Sequence, residues 1–295
     1  MARYQLPEVR HRQVEVGDVR VFYREAGPTD APTLLLLHGF PSASHQFRRL
    51  IDALGGDFHL VAPDYPGFGH TEAPEDFEYS FDALADVAEG FVQALGLTQF
   101  AMYMFDYGGP IGFRLATRHP EWVTGLVVQN ANAYVEGLSD AAREMIANQP
   151  GIDGAESRVR EILELPVTRS QYEGGTADPS RVAPDGWTLD QRFLDLPGRK
   201  DVQARLLLDY HSNVALYPTW QAWLREHQPP MLVVWGRNDP FFTEPGAHAY
   251  RADVPDADIH VFDTGHFALE DHLSDIAPLI AELMGAVGSR SGATS

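Results

Sequence analysis

Apolar residues follow two rhythms along the chain. Near the start, Arg12–Val16 and Val19–Arg24 alternate apolar and polar side chains, and Gly17–Asp18 between them predicts a hairpin. Solid apolar runs follow: Thr33–Gly39 (TLLLLHG), Phe58–Tyr65 (FHLVAPDY), Phe100–Phe105 (FAMYMF) and Val123–Ala131 (VTGLVVQNA). Short runs of this kind predict strands buried on both faces. Between them the spacing turns helical. Ser42–Leu54 places Phe47, Leu50, Ile51 and Leu54 on one face, and Ser80–Leu95 is amphipathic with Ser80 as its N-cap. Strands alternating with helices predict a mostly parallel α/β sheet flanked by helices.

After Asn132 the rhythm breaks. Helical stretches and a loop-rich piece, Glu173–Trp187, occupy the next ninety or so residues. Pro229–Gly236 and Asp258–His266 then restart the sheet, and Leu273–Met284 predicts a last helix. The tail from Gly285 onward, rich in glycine and serine, is expected to be disordered. The simplest organisation is one α/β core, residues 1–132 and 227–295, with a helical insertion, 133–226, after the sixth strand. No internal repeat interrupts it.

Composition narrows the function. With 42 acidic against 22 basic residues the formal charge is −20, which opposes binding to nucleic acid or to anionic membranes. Lys200 is the only lysine, and there is no cysteine, so thiolate metal sites, disulfides and cysteine nucleophiles are excluded. No stretch has the length of a membrane span, and the N-terminus lacks the apolar core of a signal peptide. A cytoplasmic protein is the expectation. No GxGxxG follows a strand, since Gly108–Gly112 (GGPIG) has the wrong spacing, and the twelve histidines show no ligand spacing such as HExxH. Neither a cofactor nor a metal is expected.

Candidate chemistry collects at strand ends. Phe100–Phe105 runs into Asp106, then Tyr107, Gly108, Gly109 and a helix. A side chain on so sharp a turn projects above the sheet beside a helix N-terminus. Glycines at 108 and 109 let strand and helix approach; Met104 stands where a further glycine is usual. An Asp before two glycines is also an ordinary helix cap, so the corner counts only with its partners. The loop His38–Pro41 (HGFP) can aim backbone N–H groups, Phe40 among them, at the corner, forming an oxyanion hole with the N–H of Tyr107. Asp239 follows one strand end in WGRNDPFF, and His266 follows another in DTGHFALED. Ligands of open α/β sheets bind at that edge.

With these four motifs in order — HGFP, Asp64–Glu72 (DYPGFGHTE), the Asp106 elbow and GRND…GHF — the chain resembles the α/β-hydrolase superfamily over residues 12–132 and 229–285. An aspartate at the elbow is similar to soluble-type epoxide hydrolases and haloalkane dehalogenases, and the insertion then looks like their helical cap. The resemblance implies that Asp106 attacks saturated carbon, that His266 activates water against the resulting ester, and that Asp239 orients His266. The chemistry is consistent with that choice. A carboxylate is ionised near neutral pH, its ordinary pKa being about 3.9, and it is a sound displacement nucleophile, whereas its attack on an ester would only make an anhydride. Asn130 and Asn132 lie where some dehalogenases carry the acid; an amide cannot replace it, and both residues are read either as hydrogen-bonding near the site or as capping a strand end.

The leaving group separates the two branches. An epoxide needs a proton donor at the developing alkoxide, which epoxide hydrolases supply from cap tyrosines. Tyr210 (LLLDYHSN) falls where one is implied, with Tyr172 (RSQYEGG) for the other and Tyr134 and Tyr217 competing. Haloalkane dehalogenases commonly place a tryptophan after the nucleophile and an asparagine after HG; Tyr107 and Phe40 stand there instead. Trp187, Trp220 and Trp223 remain as indole donors to a halide. His38, Trp187 and Tyr217 are the expected pocket residues, and the expected substrate is small, organic and apolar. Epoxide opening is the leading expectation, dehalogenation the alternative, and a non-catalytic ligand-binding homologue the reading of another class.

Overall fold

The computed structural model describes residues 6–291. Eight strands form one sheet: β1 (Val9–Val16), β2 (Val19–Ala26), β3 (Thr33–Leu37), β4 (His59–Pro63), β5 (Phe100–Phe105), β6 (Val123–Gln129), β7 (Met231–Gly236) and β8 (Asp258–Phe262). Their order is β1-β2-β4-β3-β5-β6-β7-β8. The β1–β2 hairpin turns on Gly17, whose φ of 56° suits glycine, and both β1–β2 and β2–β4 pair antiparallel. Every later pairing is parallel.

Strand periodicity splits the core in two. Along β3, Leu35 and Leu37 face one cluster with Met102, Met104, Val128 and Val233; Leu34 and Leu36 face the other with Tyr103, Phe105, Val127 and Val234. Each side is closed by helices whose apolar stripes match. Two helices, α2 (Phe81–Ala94) and α3 (Gly108–Arg118), pack on the first cluster. The second is covered by α1 (Arg48–Leu54) and by the C-terminal helix of Leu273–Ser291. This double burial is why the strands read as unbroken apolar runs. Ser80 caps α2 by accepting from the N–H of Ala83 at 3.1 Å.

Two boundaries depart from expectation. The segment from Ser42 begins as a 3-10 turn, Ser44–Phe47, before α1. The C-terminal helix does not stop at Met284 but continues to Ser291, so the part of the tail expected to be disordered that lies at 285–291 is helical; 292–295 fall outside the described residues. Burial explains the extension. Val287 packs into the second cluster, and Gly288 lies so close to Pro32 that a side chain there would collide with it.

Between β6 and β7 the chain is helical: α4 (Asp140–Ile146), α5 (Ala155–Glu161), α6 (Leu165–Glu173), α7 (Pro184–Leu194), α8 (Arg199–Asp209) and α9 (His211–His227). Buried polar contacts bind this insertion to the core. Asp209 accepts from the N–H of Phe81 at 2.8 Å, Arg114 donates to Asn213 at 2.7 Å, Gln203 donates to the carbonyl of Gly67 at 2.9 Å, and His45 meets Asp190 at 2.8 Å. After β7, α10 (Glu244–Ala249) leads to β8, and α11 is the C-terminal helix. Among the described residues, no helix is long and apolar enough to cross a membrane.

Candidate active site

The carboxyl ends of adjacent strands converge beneath the insertion. At the end of β5, Asp106 has φ 48°, a left-handed conformation that costs a non-glycine residue free energy and that Asp tolerates better than most. Surrounding glycines make the turn possible. A Cβ at Gly39 would strike Asp106, and one at Gly108 would strike the carbonyl of Leu37. The glycine missing at 104 has a counterpart one turn into α3: at Gly112 a Cβ would collide with the sulfur of Met104. The close approach is kept, with the small residue on the helix instead of the strand.

Asp106 is buried, and its two oxygens have different surroundings. Oδ1 accepts from the N–H of Phe40 at 2.6 Å, and the carboxylate also accepts from the N–H of Tyr107. Oδ2 lies 3.8 Å from Nε2 of His266, too far for a direct hydrogen bond but close enough for both to hold one water. On its other side, His266 meets Oδ2 of Asp239 through Nδ1 at 2.6 Å. Asp239 in turn accepts from the N–H of Phe241 at 2.8 Å and from the amide of Asn130 at 2.8 Å.

Burial and charge set the protonation states. Burial drives the pKa of Asp106 up to about 6, against His266 and the N–H groups of Phe40 and Tyr107, which pull it down. For His266, burial opposes the charge, but the adjacent Asp239 and, more weakly, Asp106 outweigh it, and its pKa rises above 6.5. The arrangement holds a buried ionisable carboxylate under two N–H donors, beside an imidazole fixed in orientation by a second carboxylate.

The pocket before Asp106 is about 50 Å³ and lined mainly by apolar side chains of the insertion and of the loop after β7, including Met145, Ile162, Leu207, Phe241 and Phe242. Phe40, Tyr107, Tyr210 and His266 line it as well. The hydroxyl of Tyr210 is buried beside that of Tyr217, and burial holds its pKa well above 10.

Four other expected residues lie elsewhere. Tyr172 is buried and stacked on Phe267 at 3.7 Å, and its hydroxyl donates to Asp190 at 2.6 Å, so it is committed away from the pocket. His38 sits behind the HGFP loop, stacked on Tyr65 at 4.1 Å, where it accepts from the N–H of Tyr65 at 3.3 Å; burial lowers its pKa to about 4. It braces the loop rather than lining the pocket. Trp187 packs in the second cluster with the Arg169 guanidinium 5.4 Å above its ring. Tyr217 is packed behind the pocket, beside Trp220 at 5.4 Å, where its hydroxyl accepts from that of Tyr210. Of the remaining candidates, Tyr134 donates to Asp253 at 2.7 Å, and neither Trp220 nor Trp223 lines the pocket.

The two asparagines part company. Asn130, at φ 40°, donates to Asp239 and to the carbonyl of Gly236 at 3.2 Å while accepting from the N–H of Gly236 at 2.9 Å. It locks the end of β6 to the end of β7 and orients the acid. Asn132 caps its own strand exit by donating to the carbonyl of Tyr134 at 2.6 Å. Gln129, which drew no attention in the sequence, accepts from the hydroxyl of Tyr103 and donates to the carbonyl of His266 at 3.1 Å. The loop bearing His266 is further held by Thr264 on Asp271, at 2.8 and 2.9 Å, and by a two-point Arg48–Glu270 pair at 3.0 and 3.1 Å. Asp64 accepts from the N–H groups of Ser44 and His70 at 2.7 and 2.9 Å and so closes the DYPGFGHTE turn. Among the described residues no group of three or more His, Asp or Glu is arranged to hold a metal ion.

Fold and site together define an enzyme-like α/β architecture with its acid, imidazole and carboxylate at one sheet edge. The chain belongs to the α/β-hydrolase fold family, whose model matches residues 32–273. It is 44% identical over 280 residues to an uncharacterized hydrolase of Saccharomyces cerevisiae, covering 93% of this chain and 97% of that one. It is also 29% identical over 280 residues to haloalkane dehalogenase 2 of Mycobacterium bovis, covering 90% and 92%. Among solved structures, epoxide hydrolase CorEH superposes with a TM-score of 0.78 at 18% identity, covering 95% of this chain and 100% of that one, a likeness of fold alone. The protein is a hydrolase of this family.

Proposed function

We propose that the protein is an epoxide hydrolase working through a covalent ester on Asp106. The single observation carrying this reading is Tyr210, which lines the same pocket as Asp106 with its hydroxyl buried. Its side-chain partner is the neighbouring Tyr217 hydroxyl, a weaker acceptor than a developing alkoxide. Oδ2 of Asp106 attacks a ring carbon; the carbon–oxygen bond breaks, its electron pair stays on oxygen, and Tyr210 gives that oxygen its proton. Oδ1, already accepting from the N–H of Phe40, becomes the ester carbonyl oxygen, with the N–H of Tyr107 as the second donor to the same carboxyl group. His266 then takes a proton from water as it adds to the ester carbon, and the oxyanion forms on Oδ1 where its donors stand ready. Collapse releases the diol, which takes the His266 proton. The acid proton left on Asp106, whose pKa is about 6, returns to the far more basic tyrosinate. The helices of 133–226 act as the cap over a core of 1–132 and 227–295.

Haloalkane dehalogenation by the same ester is the second reading, favoured by the apolar lining and by the Mycobacterium relative's name. No tryptophan lines the pocket to hold a leaving halide, which ranks it lower. The deciding experiment offers 1,2-epoxypropane and 1-bromopropane separately and follows diol and bromide. Diol is expected; bromide without diol reverses the ranking. A purely ligand-binding homologue moves to the front if neither product forms and Asp106→Asn leaves the biological activity intact.

A further inference from the structure

Gln171, on α6, carries a further donor. Its Nε2 is buried without a hydrogen-bond partner, and the residue lines the pocket with Asp106 and Tyr210. An amide donor left unpaired in the interior costs about 1–3 kcal/mol. Native structures seldom leave such a group unserved. Around it stand Met145, Ile162 and Leu207, which accept nothing, so an acceptor must arrive with whatever fills the pocket. No lysine or arginine lines this space. A substrate carboxylate would meet the negative Asp106 with no lysine or arginine to offset it, and is disfavoured. The pocket is small, about 50 Å³, and Asp106, Gln171 and Tyr210 all line it, so an occupant reaching Asp106 lies near both donor residues.

We propose that Gln171 and Tyr210 together grip the oxygen of a small uncharged epoxide. Gln171 keeps its protons and only hydrogen-bonds the oxygen as charge develops; Tyr210 transfers its proton. This assignment rests on the epoxide reading above and adds the second donor and the size limit. Gln171 therefore assists formation of the ester and takes no part in its hydrolysis, which relies on the N–H groups of Phe40 and Tyr107.

The test uses a His266→Gln parent, in which the ester cannot be hydrolysed and intact-protein mass reports each alkylation. With 1,2-epoxypropane in a single-turnover format, adding Gln171→Met is expected to slow alkylation by about a hundredfold to a thousandfold, the range for losing one donor to a developing oxyanion. Gln171→Glu, nearly the same shape, is expected to show the same loss above neutral pH and guards against a misfolded Met variant. With His266 intact, ester breakdown should be unchanged by Gln171→Met, a separation that general loosening of the pocket would not produce. Alkylation at the parent rate in both variants overturns the role of Gln171. Equal rates for 1,2-epoxypropane and 1,2-epoxydodecane overturn the size limit. If the parent with Gln171 intact gains no epoxide mass, the epoxide reading itself falls and this inference with it.

Discussion

Replacing Asp106 by Asn should abolish turnover and yet stabilise the fold. Burial drives the Asp106 pKa from 3.8 to about 6, so the folded protein resists ionising a group that the unfolded chain ionises freely. The sign follows directly. Below pH 3.8 the carboxyl is protonated in both states and there is no penalty. Between 3.8 and 6 the unfolded state ionises first and the penalty grows; above 6 it is constant. The difference of 6 − 3.8, or about 2.2 units, corresponds to about 3 kcal/mol at 1.36 kcal/mol per unit. Asn removes the charge while keeping the shape. Its oxygen can still accept from the N–H of Phe40, and Asn tolerates the positive φ that Ala would not. At about 2.1 cal/mol/K per residue over 295 residues, 3 kcal/mol raises Tm by about 5 °C. The measurement is calorimetry of both proteins at pH 8 and pH 5. The gain should be full at pH 8 and about half as large at pH 5, where the wild-type carboxyl is mostly protonated when folded. A variant no more stable than wild type at pH 8, or a gain of equal size at both pH values, would refute the argument that desolvation sets the state of Asp106.

Three further outcomes follow from the same geometry. If Asp106 is the attacking carboxylate, as proposed, it must be ionised, and kcat/KM should fall about tenfold per pH unit below about 6, measured on free enzyme at low substrate; a limb near the ordinary carboxylate value contradicts the raised pKa. Asn130→Ala removes three hydrogen bonds and puts Ala at φ 40°, and should destabilise by about 2–4 kcal/mol in urea titration while lowering kcat more than it raises KM, since Asp239 loses its brace. Gly112→Ala should cost about 1–3 kcal/mol by overpacking Met104, despite the better helix former, and Met104→Ala should recover much of that cost in a double-mutant cycle; strictly additive effects would show that the two residues do not touch.

What could be read from the sequence, and what could not, divides along one physical line. Asp106, Asp239, His266 and the N–H groups of Phe40 and Tyr107 stand on turns at strand ends, where direction is set by the residue itself and its immediate neighbours. Short-range rules reach that far, and the structure brings these groups together. Inside the insertion, direction is set by partners far along the chain. Tyr172 precedes Gln171's far neighbour Tyr210 by nearly forty positions, and its hydroxyl is captured by Asp190, a partner that no local pattern announces. Gln171, one position before it, points the other way into the pocket, because adjacent residues on a helix diverge by about 100°. Met104 and Gly112 make the same point within the core: the small residue that the elbow needs is present, but on the facing helix, so a pattern read along the strand alone finds it missing. The strand-end groups proposed to break bonds are thus encoded locally, while the insertion residues that line the pocket are encoded by packing. A change of substrate within this architecture therefore requires substitutions on the insertion helices, and can leave every strand-end residue untouched.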